Sequence, residues 1–173
     1  MPRLTAAQAF RSYLGLDIAK LEGLQPVPGE PRDYDQKGVG AAECAVCHST
    51  LDPLSYPFKK GQGRAGRGGA YQPNRIERYF RDVAPTITDM PESGWIFGQE
   101  VNDLRAWARV AANSDAFAAN TVRDYWELLF GEAPEGEELA TFETLWRDFA
   151  SRHGYSVEAM LHDLVDTEAY GVP

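Results

Sequence analysis

Residues 44 to 48 read Cys44-Ala45-Val46-Cys47-His48, and this stretch decides which fold we expect. On a helix, positions three apart share a face, so both thiols lie on one side and the imidazole follows directly. Cysteines so placed can form thioether bonds to the two vinyl groups of one haem, with the histidine under the iron as proximal ligand. The chain has 2 cysteines, both in this stretch. The sequence therefore predicts one covalent c-type haem on Cys44, Cys47 and His48.

Three other uses of the same residues stay open: a zinc site, a redox dithiol and a structural disulfide. A closed zinc site normally has four protein ligands, for which His153, His162 or a carboxylate would remain. A thioredoxin-like dithiol follows a strand in a βαβ unit, which the flanking residues do not suggest. The spacing favours haem over these alternatives.

Length and composition indicate an ordinary folded protein. The chain has 173 residues, 43% of them hydrophobic and 25% charged, enough for one sizeable domain or two small lobes sharing a core. The net charge is -9, and 17 of the 26 Asp and Glu residues lie in residues 88–173. Because basic residues supply most of the affinity for phosphates, nucleic acid and anionic membrane surfaces are not expected partners. No run of 18 apolar residues occurs, so we expect no membrane span.

The N-terminus bears on localisation. Residues 1–5, Met-Pro-Arg-Leu-Thr, have none of the features of a secretory signal. Haem is normally attached outside the cytoplasm, so the motif predicts a periplasmic or otherwise exported protein. Two explanations stay open: the chain is a mature or excised form, or the cysteine-histidine motif has another role.

The first half of the chain predicts short elements joined by irregular segments. Apolar residues at spacings of three and four predict a helix from Thr5 to about Leu24, with Thr5 as N-cap. Prolines and glycines predict an extended connector over residues 25–40, and a short helix should begin near Ala41. A proline-punctuated stretch (52–58), a basic glycine-rich loop (59–69), a weak helix (74–81) and an irregular region (84–94) should follow.

The second half predicts helices throughout. Four apolar stripes recur at helical spacing, the last after Ser156 as a cap, with breaks at 113–114, 131–134 and 153–154. Short connections favour an antiparallel bundle. The stripes contain Val101, Leu104, Trp107 and Ala111; Phe117, Val122, Trp126, Leu129 and Phe130; Leu139, Phe142, Leu145, Trp146 and Phe149; and Met160, Leu161, Leu164 and Val165.

A six-coordinate haem needs a second axial ligand, usually Met or His. Met1 is terminal, and Met160 falls on an apolar stripe, where core packing explains it. Met90 lies in an irregular segment before Pro91, where a loop can wrap around the haem edge. Met90 is the predicted distal ligand; His153, His162 and an open position are the alternatives.

This order of motifs resembles the small soluble cytochromes c. In that family Cys-x-x-Cys-His lies near the start, and a downstream Met-Pro precedes a helix with Leu and Trp. Met90-Pro91 here precedes Leu104 and Trp107. The resemblance implies that Met90 is the distal ligand and that the following helix packs beside the haem region.

A wider resemblance, over residues 40–170, is to haem-motif domains of large proteins of planctomycetes and related bacteria. There Cys-x-x-Cys-His is followed by Asp-Pro-Leu, as in Asp52-Pro53-Leu54, and then by a helical domain. The chain departs from that pattern just after Leu54, where residues 59–69 are more basic. Because that family has no established activity, the resemblance bears on haem and fold more than on function. Matching positions of the helical tail are Leu104, Phe117, Tyr125, Leu129, Phe130, Gly131, Phe149, Gly154, Tyr155, Leu161, Val165 and Tyr170.

The expected fold is all-α, a cytochrome c-like haem lobe followed by a small antiparallel helical bundle. The expected divisions are residues 1–40 (helix and connector), 41–112 (haem lobe) and 113–173 (bundle).

Supporting residues can be assigned around the haem. Propionates are anions, and of the nearby donors Lys59, Lys60, Arg64 and Arg67 the two arginines bind carboxylates best, so Arg64 and Arg67 are the candidates. Alternatively, the loop is a solvated surface or steers an acidic redox partner. Trp95 is a candidate haem wall, as are Tyr56, Phe58, Tyr71 and Phe97, each of which fits an ordinary core equally well.

Together these features predict an electron carrier that cycles Fe(III)/Fe(II) with His48 and Met90 as axial ligands. The expected partner is a redox protein or a neighbouring domain. Two alternatives stay open: a haem enzyme with an open distal site acting on peroxide or a small ligand, and a haem-stabilised interaction domain of a larger assembly.

Overall fold

The structure, a computed structural model, describes residues 2–34, 37–60 and 90–171. The chain forms two compact units. The first comprises residues 1–12 and 16–110, and the second comprises residues 13–15 and 111–173. The described part is mostly helical, as predicted.

The N-terminal helix is shorter than its apolar pattern suggested. Helix α1 spans Pro2–Leu14, so Thr5 lies inside the helix and the predicted cap is wrong. The helix stops where Gly15 takes a φ of 67°, a left-handed conformation that glycine adopts without steric cost. A separate 3-10 turn at Ile18–Lys20 follows, capped by the side chain of Asp17, and Ile18 is buried.

Helix α2 carries the cysteine-histidine motif and is longer than expected. It spans Ala42–Ser55 and contains Pro53, which was predicted to lie in an irregular stretch. A proline inside a helix has no N–H for the carbonyl four residues earlier, here that of Ser49. The backbone N–H of Val27 donates to this carbonyl at 3.0 Å instead. The 25–40 connector is therefore hydrogen-bonded to α2, and a 3-10 turn at Tyr56–Phe58 continues the helix.

An antiparallel hairpin makes the strict all-α prediction wrong. Strand β1 (Gly94–Ile96) pairs with β2 (Gln99–Val101), with Ile96 opposite Gln99, so Val101 lies in a strand and not on a helical stripe. The connecting residues Phe97 and Gly98 have φ values of 50° and 71°. Positive φ at both central residues is the type I′ geometry that matches strand twist in two-residue hairpins.

Strand β1 packs against α2 at a position where a side chain does not fit. A Cβ atom placed on Gly94 would lie 2.1 Å from the carbonyl oxygen of Pro53. The missing side chain thus permits the contact between the hairpin and the C-terminal half of α2.

The later helices follow the predicted breaks, and most residues of the predicted stripes are buried. Four stripe residues are exposed instead: Leu104, Leu129, Leu139 and Val165. Helix α3 (Leu104–Ala112) precedes α4 (Asp115–Phe130), α5 (Glu138–Ser151), α6 (Val157–Val165) and the short α7 (Glu168–Gly171). Ser114 caps α4, Gly131 ends it with a φ of 83°, and Ser156 caps α6, which confirms the predicted cap and breaks. The buried core of the second unit consists of Ala118, Val122, Trp126, Phe142, Leu145, Phe149, Met160 and Leu164.

Candidate functional site

Helix α2 brings the three motif residues together. Cys44 is exposed, Cys47 is partly buried, and neither is in a disulfide. The thiol of Cys47 donates a weak hydrogen bond to the carbonyl of Ile18 at 3.6 Å. His48 is 23% exposed. Both thiols and the imidazole are thus within reach of a group that approaches this side of α2.

His48 is held by a carboxylate one helical turn further on. Its Nδ1 lies 2.8 Å from Oδ1 of Asp52, the fourth residue after it. Because a carboxylate only accepts hydrogen bonds, Nδ1 carries the hydrogen and donates it. In the neutral ring, Nε2 then has a free lone pair, which is the atom a metal ion would bind.

Asp52 is buried and receives a second set of hydrogen bonds. Its side chain is 1% exposed. Nε of Arg3 donates to Oδ1 at 2.6 Å, and an Nη nitrogen of the same guanidinium donates to Oδ2 at 2.8 Å. This two-pronged pair is the geometry in which arginine binds carboxylates most strongly. It joins α1 to α2 and leaves both Asp52 oxygens occupied.

Met90 lies beside the C-terminal end of the same helical segment. Its side chain is buried, at 8% exposure, and its carbonyl accepts a hydrogen bond from Nζ of Lys59 at 2.6 Å. Glu92 accepts from Lys60 at 2.5 Å and lies 3.6 Å from Lys59. Burial lowers the pKa of Lys59, whereas the hydrogen bond from Lys60 lowers the pKa of Glu92. These contacts fix the backbone at Met90 and engage both lysines of the predicted basic loop that the structure describes.

Two of the aromatic residues considered as haem walls, Tyr56 and Phe58, make contacts within the first unit. Tyr56 is buried and its hydroxyl donates to Oε2 of Glu30 at 2.7 Å; burial, and then this bond, raises its pKa. Phe58 packs edge-on against Trp107 with ring centroids 5.1 Å apart. Both therefore belong to the core of the first unit.

Trp95 borders a small apolar cleft. It is 37% exposed on β1, and the cleft beside it is lined by side chains that include Phe10, Val27 and Leu54. The cleft has a volume of about 130 Å³. Pockets for ligands of drug size or larger usually exceed about 300 Å³, so this cleft is too small to hold a porphyrin.

The remaining predicted positions divide into two groups. Arg64, Arg67 and Tyr71 lie outside the described residues. His153 lies in the second unit, where its Nε2 donates to Oδ2 of Asp163 at 2.7 Å. Among residues 2–34, 37–60 and 90–171, no three His, Cys, Asp or Glu side chains form a group able to hold a metal ion by themselves.

Sequence reasoning missed Asp52 and Arg3 as parts of this site. The spacing of four between His48 and Asp52 could have identified the first, since residues four apart on a helix are neighbours. Arg3 lies 49 residues from Asp52 and gave no comparable signal.

Comparisons with known proteins do not identify a family for this chain. No protein-family model matches the chain, and neither the curated proteins nor the solved structures contain a match. In the described part of the chain, no helix is both long and apolar enough to cross a membrane.

Proposed function

We propose that this chain is a c-type haem protein that transfers single electrons. One observation carries the proposal. Cys44, Cys47 and His48 lie within five residues of one helix, Cys44 exposed and the other two partly buried, and His48 donates from Nδ1 to Asp52, which would leave Nε2 to bind iron. The donor set fits a haem, because two thiols would attach its vinyl groups and one imidazole would bind its iron.

In this proposal the cysteines anchor the cofactor. Each thiol would hold the haem through a thioether bond, formed when its sulfur bonds to one carbon of a haem vinyl group and its hydrogen goes to the other. Cys44 is the more accessible of the two thiols. His48 would bind the iron through Nε2, and Asp52 would keep the ring in the tautomer that this requires. When bound, the haem supplies a one-electron Fe(III)/Fe(II) couple, with the electron exchanged with a partner redox protein or a neighbouring domain.

Met90 is the proposed distal ligand. Its support is chemical and local: a thioether is a common second ligand of c-type haem, and the buried side chain belongs to a backbone held by Lys59. Arg64 and Arg67 remain the proposed propionate donors, and Trp95 a proposed wall residue. The proposed architecture remains a cytochrome c-like haem lobe followed by a helical bundle, in a protein whose haem is attached after export.

The test is to produce the protein in a periplasm with haem-attachment machinery and to record absorption spectra of both oxidation states. We expect covalent haem in the wild type, its loss in Cys44→Ser combined with Cys47→Ser, and a low-spin spectrum. Met90→Ala should convert that spectrum to high-spin, whereas Met160→Leu, in the core of the second unit, should not. A wild type that binds no haem covalently under these conditions refutes the proposal.

A second candidate function is supported by the carboxylate on His48. A negatively charged hydrogen-bond acceptor makes the imidazole a stronger electron donor, as suits haem enzymes that act on peroxide. A wild type that is already high-spin, with rapid binding of cyanide to the ferric form, would favour this enzyme over the carrier.

A further inference from the structure

The hydrogen bond from His48 to Asp52 is more than a surface helix pair. Pairs at this spacing are common on exposed helix faces, where solvent weakens them. Here the carboxylate is 1% exposed, and both of its oxygens accept hydrogen bonds. A charge excluded from water acts strongly on its neighbours, since little solvent screens it.

We propose that Asp52 is the positioning residue that sets the donor strength of His48 toward the haem iron, and that Arg3 limits its effect. The inference rests on the proposed function and names the residues that control the reduction potential of the haem. A carboxylate that accepts the Nδ1 hydrogen draws it away from the ring and leaves Nε2 more electron-rich. A more donating ligand stabilises Fe(III) over Fe(II), so Asp52 lowers the reduction potential.

Arg3 opposes this effect through the atom that His48 uses. Its Nε and the His48 Nδ1 both donate to Oδ1, at 2.6 Å and 2.8 Å. The guanidinium withdraws charge from that oxygen and weakens it as an acceptor for His48. A residue of the N-terminal helix thereby influences the haem ligand, although it lies 49 residues from Asp52 in the chain.

A purely structural role of the Arg3–Asp52 pair predicts a different result when either residue is replaced. If the Arg3–Asp52 pair only tied α1 to α2, removing either partner would loosen the same contact and change the iron in the same direction. If Asp52 acts on His48, the two removals have opposite effects on the bond between iron and histidine.

The experiment compares Asp52→Asn, Arg3→Gln and the control Glu43→Gln in the haem-loaded protein. Glu43 lies in the first turn of α2 and is exposed, so its replacement removes an equal charge near Cys44 without altering the His48 hydrogen bond. The readouts are the reduction potential and, in reduced five-coordinate protein made with Met90→Ala, the iron–histidine stretching frequency.

We expect Asp52→Asn to lower the stretching frequency and to favour reduction at least tenfold, which is about 59 mV for one electron. Arg3→Gln should raise the frequency and favour oxidation. Glu43→Gln should leave the frequency unchanged. In haem-free protein, nitrogen NMR of the neutral His48 ring should show hydrogen on Nδ1, and this preference should weaken in Asp52→Asn.

The proposal is overturned if Asp52→Asn keeps its haem but changes the frequency and potential no more than Glu43→Gln does. Should Asp52→Asn not fold, Arg3→Gln decides, and a lowered or unchanged frequency in that variant counts against the proposal. If instead the wild type itself carries no covalent haem, the proposed function is wrong, and the proposed role of Asp52 is wrong with it.

Discussion

Replacing Gly94 with alanine tests the contact between the hairpin and the site helix. The added Cβ would lie 2.1 Å from the carbonyl oxygen of Pro53 and 2.6 Å from Cδ of Pro57. Neither neighbour is the movable end of a flexible side chain, so the strand must shift away from α2. Overpacking of this kind typically costs 1–3 kcal/mol, and a clash with backbone belongs at the upper end, about 3 kcal/mol.

The matched control is Gly40→Ala. A Cβ on Gly40 meets no atom of the described residues within 4 Å, and its φ is not positive. The alanine should therefore be neutral or stabilise the fold by about 0.4–1 kcal/mol, because it restricts the unfolded chain.

The assay is amide hydrogen exchange of α2 under native conditions, which reports the free energy of local opening. A cost of about 3 kcal/mol corresponds to exchange about 150-fold faster in Gly94→Ala than in the wild type. Gly40→Ala should exchange at the wild-type rate or more slowly. Equal exchange rates in the two variants would refute the reasoning, since of these two glycines Gly94 is the one that lacks room for a side chain.

Three further predictions concern single contacts. Met160→Ala should lower the free energy of unfolding by about 2–5 kcal/mol in urea denaturation, because Met160 is completely buried. Met160→Leu should lower it by under about 1.5 kcal/mol, and equal losses in the two variants would contradict the prediction. Tyr56→Phe should cost about 1.5–3 kcal/mol in the same assay, because it removes a hydrogen bond to the buried Glu30 carboxylate, and an unchanged stability would show that this bond contributes nothing. A hydrogen bond from His153, and to a smaller extent one from Arg152, lowers the pKa of Asp163 below 3.8. The stability contributed by the ionised Asp163 is therefore fully present above pH 3.8 and is lost as the pH falls through the lowered pKa. Asp163→Asn should therefore be less stable than wild type at pH 6 but not in strong acid, and a difference independent of pH would contradict this.

The helical part of the second unit was predictable because its pattern is local. Ser114 and Ser156 precede apolar residues at helical spacing, and Gly131 follows the last of one series. Each signal lies within a few residues of the boundary that it marks. Caps and breaks of this kind depend little on distant contacts, and the structure has them where the sequence predicts them.

The hairpin was not predictable in the same way. Its strands have three residues each, too few for an alternating pattern to stand out from a helical one. Its turn, Phe97-Gly98, has a bulky residue at a φ of 50°, where Asn or Gly is usual. Phe97 packs against Phe10, with ring centroids 5.8 Å apart, so a contact distant in sequence accompanies the unusual turn.

The candidate site was predictable only in its cysteine-histidine motif. Cys44, Cys47 and His48 lie within five residues of the chain, and the proposed haem rests on their spacing. The environment of His48 depends on Asp52, whose buried state requires Arg3 to arrive from α1. Such long-range pairs have no periodic signature, so the residues proposed to tune the haem became visible only in the structure.

Asp52 and Pro53 join α2 to other segments of the first unit close to His48. Asp52 binds Arg3 of α1, while Pro53 lacks the N–H that would occupy the Ser49 carbonyl, and Val27 of the connector binds there instead. The Pro53 carbonyl itself lies against Gly94 of β1. Three separate segments of the first unit thus meet α2 between Ser49 and Pro53, within about one and a half turns after His48. Because Asp52 belongs both to this junction and to the His48 hydrogen bond, whatever holds the junction together also fixes the orientation of the proposed iron ligand.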